Sequence, residues 1–315
     1  MSKSNLNSSN VPVTDDEIDL REIFRVIWEG RWLVITLTTV VSALAVLYAL
    51  NQPNIYKAEA LLTASEKEPV SGLSSLSGQF GSLASLAGVN LGGNGGGNKT
   101  QLALEILKSR KFTTDFIKAH NILPDLMAVK SWDRLDDIIY YNEAIYDKSK
   151  NNWIREVEAP YKPEPSMQEA YKKFREHLVA YMDKESGMIT ISIEHMSPVV
   201  AQRWVNWLIE DINSVMKSRD VEEAIKSTEF LTSQLEQTQI TDIRAVLYKL
   251  IEEQTKTIMF ANVRDEYVFK TIDPALVPEQ KFKPKRPLIC IFGFLLGGIL
   301  SVVTVLTRYF LRKER

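Results

Sequence analysis

The chain has 315 residues, 45% hydrophobic and 25% charged, and its 38 Lys and Arg against 40 Asp and Glu leave a net charge of -2. That mixture belongs to a folded protein, not a disordered or fibrous one, and the lack of a basic field excludes nucleic acid as an electrostatic partner. A lone cysteine, Cys290, excludes an internal disulfide framework and a thiolate metal cluster.

Residues 1–13 are rich in Ser and Asn and read as a disordered tail. Thr14 and Glu17 have the spacing of a capping box, which predicts a short amphipathic helix. Leu20, Ile23, Phe24, Ile27 and Trp28 form its apolar face, opposite Arg21, Glu22, Arg25 and Glu29. Trp28 and Trp32 bracket the start of an uncharged run over 32–50, so the helix is expected to lie at a membrane surface. The run itself is expected to span the membrane. A cleaved signal fits poorly, because a long acidic segment precedes the run and no polar stretch ending in a small-residue cleavage site follows it.

Ile55 to Ala64 reads as a strand leaving the membrane. Residues 71–97 are low in complexity and end in LGGNGGGNKT, where Asn98 separates Gly97 from Lys99. A phosphate loop needs its lysine directly after the last glycine, so this stretch is expected to be a flexible loop. From Thr100 to His120, Leu102, Ile106, Leu107, Phe112, Phe116 and Ile117 recur at helical spacing. Residues 132–165 show no clear period. Ser166 and Glu169 form a second capping box, opening a helix with Met167, Tyr171, Phe174, Leu178 and Tyr181 on one face. After Gly187, Ile189, Ile191 and Ile193 alternate with Thr190, Ser192 and Glu194, the clearest strand in the chain.

Ser197 and Pro198 are a helix start, and no Gly or Pro follows until Pro274. Ala201, Trp204, Leu208, Ile212 and Val215 hold a stripe that continues more loosely through Ile225, Leu231 and Leu235. A second set runs Ile243, Leu247, Leu250, Gln254, Ile258. Long helices over about 197–262 are expected to project from the membrane, since even forty helical residues reach about 60 Å. TQITD is a candidate tip with Thr241 or Asp242 as N-cap; a continuous rod is the alternative. Tyr267 to Ile272 reads as a returning strand that pairs with the one leaving the first span.

Pro274, Pro278, Pro284 and Pro287 then prevent helix or central strand, so 274–287, with Lys285 and Arg286, is expected to be an extended strut. It leads into an uncharged run over 288–307, about the thickness of a bilayer when helical. Gly293 and Gly297 are a G-x-x-x-G, the pattern that lets helices approach closely in lipid, and Ala45 and Ala49 are a weaker equivalent in the first span. Glycine is also simply common in such spans.

The expected organisation is a cytoplasmic tail (1–31), a span (32–50), an extracytoplasmic domain (51–287), a second span (288–307) and a short tail (308–315). Arg21, Arg25 and Arg31 before the first span, against Lys57 and Lys67 after it, place both termini inside. The basic residues around the second span tie. His120, His177 and His195 are not at ligand spacing and are expected at the surface, and no nucleophile-elbow pattern occurs. No catalytic, metal or cofactor-binding residue is assigned.

From Ile18 onward the chain resembles the Wzz-type chain length determinants, or polysaccharide co-polymerases. DEIDLREIFRVIWEGRW before the first span is similar to that family's N-terminal segment. DPALVPEQKFKPKRP before a glycine-bearing second span is similar to its proline-rich signature, and LIEEQTKTIMFANVRDEYVFKTIDP to its descending helix and closing strand. The resemblance implies an α+β fold, with two transmembrane helices flanking a periplasmic base domain and a long helical extension. It further implies a bacterial inner-membrane location and a closed homo-oligomeric ring. The implied partners are a Wzy-type membrane polymerase and lipid-linked polysaccharide. The implied function is to set the modal repeat number without catalysis. Relatives serving capsule export often carry a kinase after the second span. Here eight residues follow Thr307, which points to lipopolysaccharide O-antigen, with enterobacterial common antigen or another Wzy-dependent polymer as the alternative. A two-span periplasmic sensor shares the topology and would need a cytoplasmic output module.

Overall fold

The computed structural model describes residues 20–65 and 95–313. The capping box at Thr14 and Glu17, the tail 1–13 and most of the low-complexity stretch lie outside the described residues. The chain divides into two units, Pro53–Lys283 and the pair Met1–Gln52 with Pro284–Arg315.

In the first of these units, β1 (Tyr56–Ala64) is the second-to-edge strand of an antiparallel sheet. Its neighbours are β7 (Ile189–His195) and β8 (Phe269–Asp273), and β6 (Leu178–Met182) flanks β7. The returning strand therefore pairs with the strand that opens the domain, as the sequence predicts. Alternation makes one face of the sheet apolar: Ala58, Ala60 and Leu62 on β1 lie beside Ile189, Ile191 and Ile193 on β7, all buried. Helix α7 (Pro198–Gln237) lays Ala201, Trp204, Val205, Leu208 and Ile212 on that face. It starts where Ser197 Oγ accepts a hydrogen bond from Val200 N, with Pro198 in the first turn.

The helix expected over 100–120 is two helices, α3 (Gly95–Leu107) and α4 (Arg110–Ala119). Ser109 divides them: its backbone is extended and its Oγ accepts from Phe112 N, so it caps α4. A further short helix, α5 (Leu123–Met127), follows. Leu104, Leu107, Phe116 and Ile117 from this region complete the core. The stretch without a readable period holds two small hairpins, β2 (Val129–Asp133) with β3 (Ile138–Tyr141) and β4 (Tyr146–Asp147) with β5 (Asn152–Trp153).

Helix α6 (Met167–His177) opens with the expected capping box of Ser166 and Glu169 but is shorter than its stripe suggested. Leu178 and Tyr181 belong instead to β6, where Leu178 and Ala180 are buried while Val179 and Tyr181 are exposed. Leu178 satisfies both periods, being four residues after Phe174 and the start of an alternating LVAYM. Pairing with β7 decides between them.

Arg155 fastens the loop before α6. Its guanidinium donates to both Glu169 carboxylate oxygens, at 2.8 and 3.0 Å, and to the carbonyls of Lys162 and Pro163. Chiefly because of this guanidinium, the Glu169 carboxyl falls from its ordinary 4.5 to about 2. A depressed carboxylate contributes stability that is present above its unfolded pKa and lost as pH falls toward the folded one. Melting temperatures from pH 5 down to about 2 should thus fall less steeply in Arg155→Met than in the native chain; parallel curves would show that the pair carries none of the acid response.

α7 ends at Gln237, and α8 (Thr241–Val263) packs back along it with Ala224, Leu231, Leu250 and Ala261 buried. The region is a helical hairpin and not a continuous rod. Neither Thr241 nor Asp242 caps α8: the N-cap position is Ile240, which makes no side-chain bond, and Asp242 lies within the first turn, where the helix dipole favours it.

The paired apolar helices and the proline strut

The strut begins where β8 ends, and α7 holds the chain that feeds it. Asn213, buried in the apolar stripe of α7, accepts from Val268 N at 2.8 Å and Phe269 N at 3.0 Å and donates to Phe269 O at 3.1 Å. Its amide is thereby satisfied by the first residues of the returning strand. Two turns further along α7, Asp220 takes a hydrogen bond from Tyr267 Oη at 2.7 Å and pairs with Lys99, whose ammonium lies 4.0 Å from the Tyr267 ring centroid. Lys99, the residue that would have served a phosphate loop, is thus engaged by a carboxylate. Toward the start of α7, Gln202 donates to Ala275 O at 3.1 Å. Sequence reasoning missed Asn213, although a lone amide beside Ile212 in an apolar stripe was a usable signal.

Pro274 and Pro278 lie in chain without helix or strand. Regular pairing resumes at one point: Ile55 N donates to Lys283 O at 2.9 Å, and Ile55 O accepts from Phe282 N and Lys283 N. The Lys283 ammonium meets both Glu194 carboxylate oxygens, at 2.6 and 2.9 Å. Entry and exit of the domain are therefore joined to each other and to the end of β7.

The other unit contains α1 (Leu20–Glu29), α2 (Arg31–Asn51) and α9 (Arg286–Lys313). α2 and α9 are long and apolar enough to cross a bilayer, and Leu44, Leu47, Phe292, Phe294 and Ile299 are exposed on them. The two helices pack antiparallel. Arg286 Nε donates to Ala49 O at 3.1 Å at one end, where the cation also meets the negative end of the α2 dipole. Lys285 supplies the carbonyl that accepts from Leu288 N and Ile289 N, and Pro284 and Pro287 flank this start, where a missing amide costs nothing.

Gly293 faces Ala45 so closely that a Cβ on it would stand 2.3 Å from the Ala45 Cβ. On Gly297 it would meet Val41 Cβ at 3.0 Å and Thr38 Cα at 3.3 Å. One turn on, Thr38 Oγ1 donates to Ser301 Oγ at 3.3 Å, and Ser301 donates to Gly298 O. The small residues of the two helices thus serve contact within one chain, and Ala49 is buried beside them. On α1, Phe24 and Trp28 are stacked and exposed, whereas Val26 is buried.

The histidines are less exposed than expected, His120 and His177 being partly buried. His195 is buried, and His120 lies 2.9 Å from Asp211 with its ring stacked on Trp207. Among the described residues no group of three or more His, Cys, Asp or Glu is placed to hold a metal ion.

Two apolar helices flanking one α+β domain fit a membrane-anchored protein. Residues 16–120 match the Wzz family, described as chain length determinant protein, and residues 234–310 match the family described as G-rich domain on putative tyrosine kinase. Over residues 16–120 the chain is similar to the Wzz chain length determinants, and the match supports a role in regulating polysaccharide chain length. That family consists of regulators and is not known for catalysis, and its members are oligomeric membrane proteins. No curated protein sequence matched. Among solved structures, a full-length bacterial polysaccharide co-polymerase is 13% identical with a TM-score of 0.41, covering 94% of this chain and 99% of its own. A fragment of WzzB, a polysaccharide co-polymerase from Salmonella Typhimurium, is 13% identical with a TM-score of 0.28, covering 73% and 100%.

Proposed function

We propose that this chain sets the modal repeat number of lipopolysaccharide O-antigen by contact with a Wzy-type polymerase, as a homo-oligomeric ring in the bacterial inner membrane. Residues 32–50 and 288–307 are its spans, residues 51–287 are periplasmic and both termini are cytoplasmic. The observation that carries the reading is the family match across α1 and α2, joined to a domain whose entry and exit are tied together at Ile55 and Lys283. Such a closed base holds the helical hairpin of α7 and α8 on a fixed footing, which suits a device that acts by position. The polymerase makes the glycosidic bonds, and this chain decides when elongation stops.

The test is the length ladder of surface polysaccharide in a deletion strain. Polymer should persist without a preferred length, and complementation should restore the mode. Total loss of polymer with the polymerase present would reopen an enzymatic role. Enterobacterial common antigen is the second reading, and the same strain distinguishes it by which of the two ladders broadens. For topology, alkaline phosphatase inserted at the exposed turn of Lys148 to Lys150 is expected to be active. Activity there only from a cytoplasmic reporter would invert the arrangement.

A further inference from the structure

Two histidines inside the domain are held neutral, His195 by its hydrogen bonds and His177 by burial. His195, the last residue of β7, is 3% exposed. Its Nδ1 accepts from Ser197 N at 3.0 Å, and its Nε2 lies 2.9 Å from Asp125 O on α5. A nitrogen that accepts an amide hydrogen carries none of its own, so the ring proton is on Nε2 and both nitrogens are satisfied in the neutral state. A second proton would set an N–H on Nδ1 directly against the Ser197 N–H. Ser197 caps α7, so that conflict falls on the first turn of the longest helix.

His177, at the end of α6, stands 2.6 Å from Glu194 O through Nδ1, which therefore carries its hydrogen. Its Nε2 is buried and has no hydrogen-bond partner among the described residues, so a proton added there would be an unsatisfied buried donor. The two rings are 6.5 Å apart, and charging both would add repulsion. The charged groups around His177 are Lys173 and Glu176 on α6 and Glu194 on β7, and Asp125 on α5 and His177 itself face His195. Glu194 is engaged by Lys283 and Asp125 accepts from the Tyr141 hydroxyl, while Trp204 of α7 covers the His195 ring. Burial outweighs the carboxylates and pushes both histidines below their ordinary 6.5.

We propose that His177 and His195 form an acid-sensitive latch at the base of α7, closed when both rings are neutral and released when acid protonates them. Glu194 places the latch beside the strut, since its carbonyl bonds His177 and its carboxylate holds Lys283. Release therefore loosens both the start of α7 and the junction of entry and exit strands. The latch does not depend on which polysaccharide the chain regulates. Its sign follows from linkage: the unfolded chain takes up these protons near the ordinary histidine value and the folded chain only at lower pH. The stabilisation is complete above about pH 6.5 and declines below it.

Hydrogen exchange on the full chain in detergent, between about pH 7 and about pH 5, tests this in a window above the titration of Glu169. After correction for intrinsic exchange, opening at residues 195–201 should rise by up to about tenfold per pH unit for each histidine. The α7–α8 tip should not respond. His177→Gln combined with His195→Gln should abolish the rise. An equal rise in the double variant, or no rise in the native chain, overturns the latch. Imidazole nitrogen shifts of the native chain supply a reading free of substitution. His195 should stay in its Nε2–H form below pH 6.5 and titrate only together with opening; ordinary titration without opening refutes the proposal.

Discussion

Trp204→Ala should cost the domain about 3–5 kcal/mol, the range for removing a large aromatic side chain from a packed core. Trp204 is 1% exposed and lies where α7 crosses the sheet. Its ring is 5.9 Å from that of Phe174 and 5.2 Å from that of His195, so truncation opens a void among three elements at once. A loss of that size is a large share of the stability of an ordinary domain. Denaturant unfolding of the detergent-solubilised chain measures it, and Trp204→Phe, which leaves a smaller void, should fall between. Chain-length control should disappear with the domain. A cost below about 1 kcal/mol would mean that the site collapses around the void and that the core is not centred on this residue.

Gly293→Leu with Gly297→Leu should separate the paired apolar helices while leaving the domain intact. The space for even one methyl group is already taken at Gly293 by Ala45, and at Gly297 by Val41 and Thr38. Between helices in lipid there is no hydrophobic driving force, so close packing and the bond from Thr38 to Ser301 hold the pair together. Gly298→Leu is the matched control, because a Cβ there meets nothing within 4 Å. Cysteines introduced at Thr38 and Ser301, whose hydroxyl oxygens lie 3.3 Å apart, should cross-link in the native chain and in the Gly298 variant but not in the double variant. The melting of residues 53–283 should be unchanged, and the polysaccharide length distribution should broaden. A double variant that still cross-links and keeps its modal length would show that the helices tolerate separation and that these glycines are there by composition.

Much of the architecture is carried by local signals. The uncharged runs, the alternation over 189–194, the Ser197–Pro198 helix start and the proline ladder each need only neighbours within a few residues. Hydrophobic period, capping chemistry and the missing proline amide act at that range. They specify where the longest helix starts and where the chain must stay extended. The resemblance added the class of function, because the segments that carry it lie at the membrane boundaries, where those signals are strongest.

What the sequence left open depends on groups far apart in the chain. Leu178 fits a helix face and a strand face equally, and its strand is settled by an edge of β7 that only the fold presents. Thr241 and Asp242 were reasonable caps, yet the return of α8 along α7 set the turn one residue earlier. Gly293 and Gly297 announce a close approach without naming the partner, and α2 of the same chain is 240 to 260 residues away by number, at Ala45 and Thr38. Asn213 and His195 look like polar intrusions until the backbone of residues 268–269 and of Ser197 arrives to satisfy them. The sequence by itself thus determined the long helices, the strands of β1, β7 and β8 and the two membrane-length helices, since those follow from local burial and backbone chemistry, but not the small hairpins, the break at Ser109 or β6. Which polar group meets which backbone atom, and which small residue faces which helix, was decided by the tertiary structure, because burying a polar group or closing a helix contact requires a partner that local sequence cannot specify.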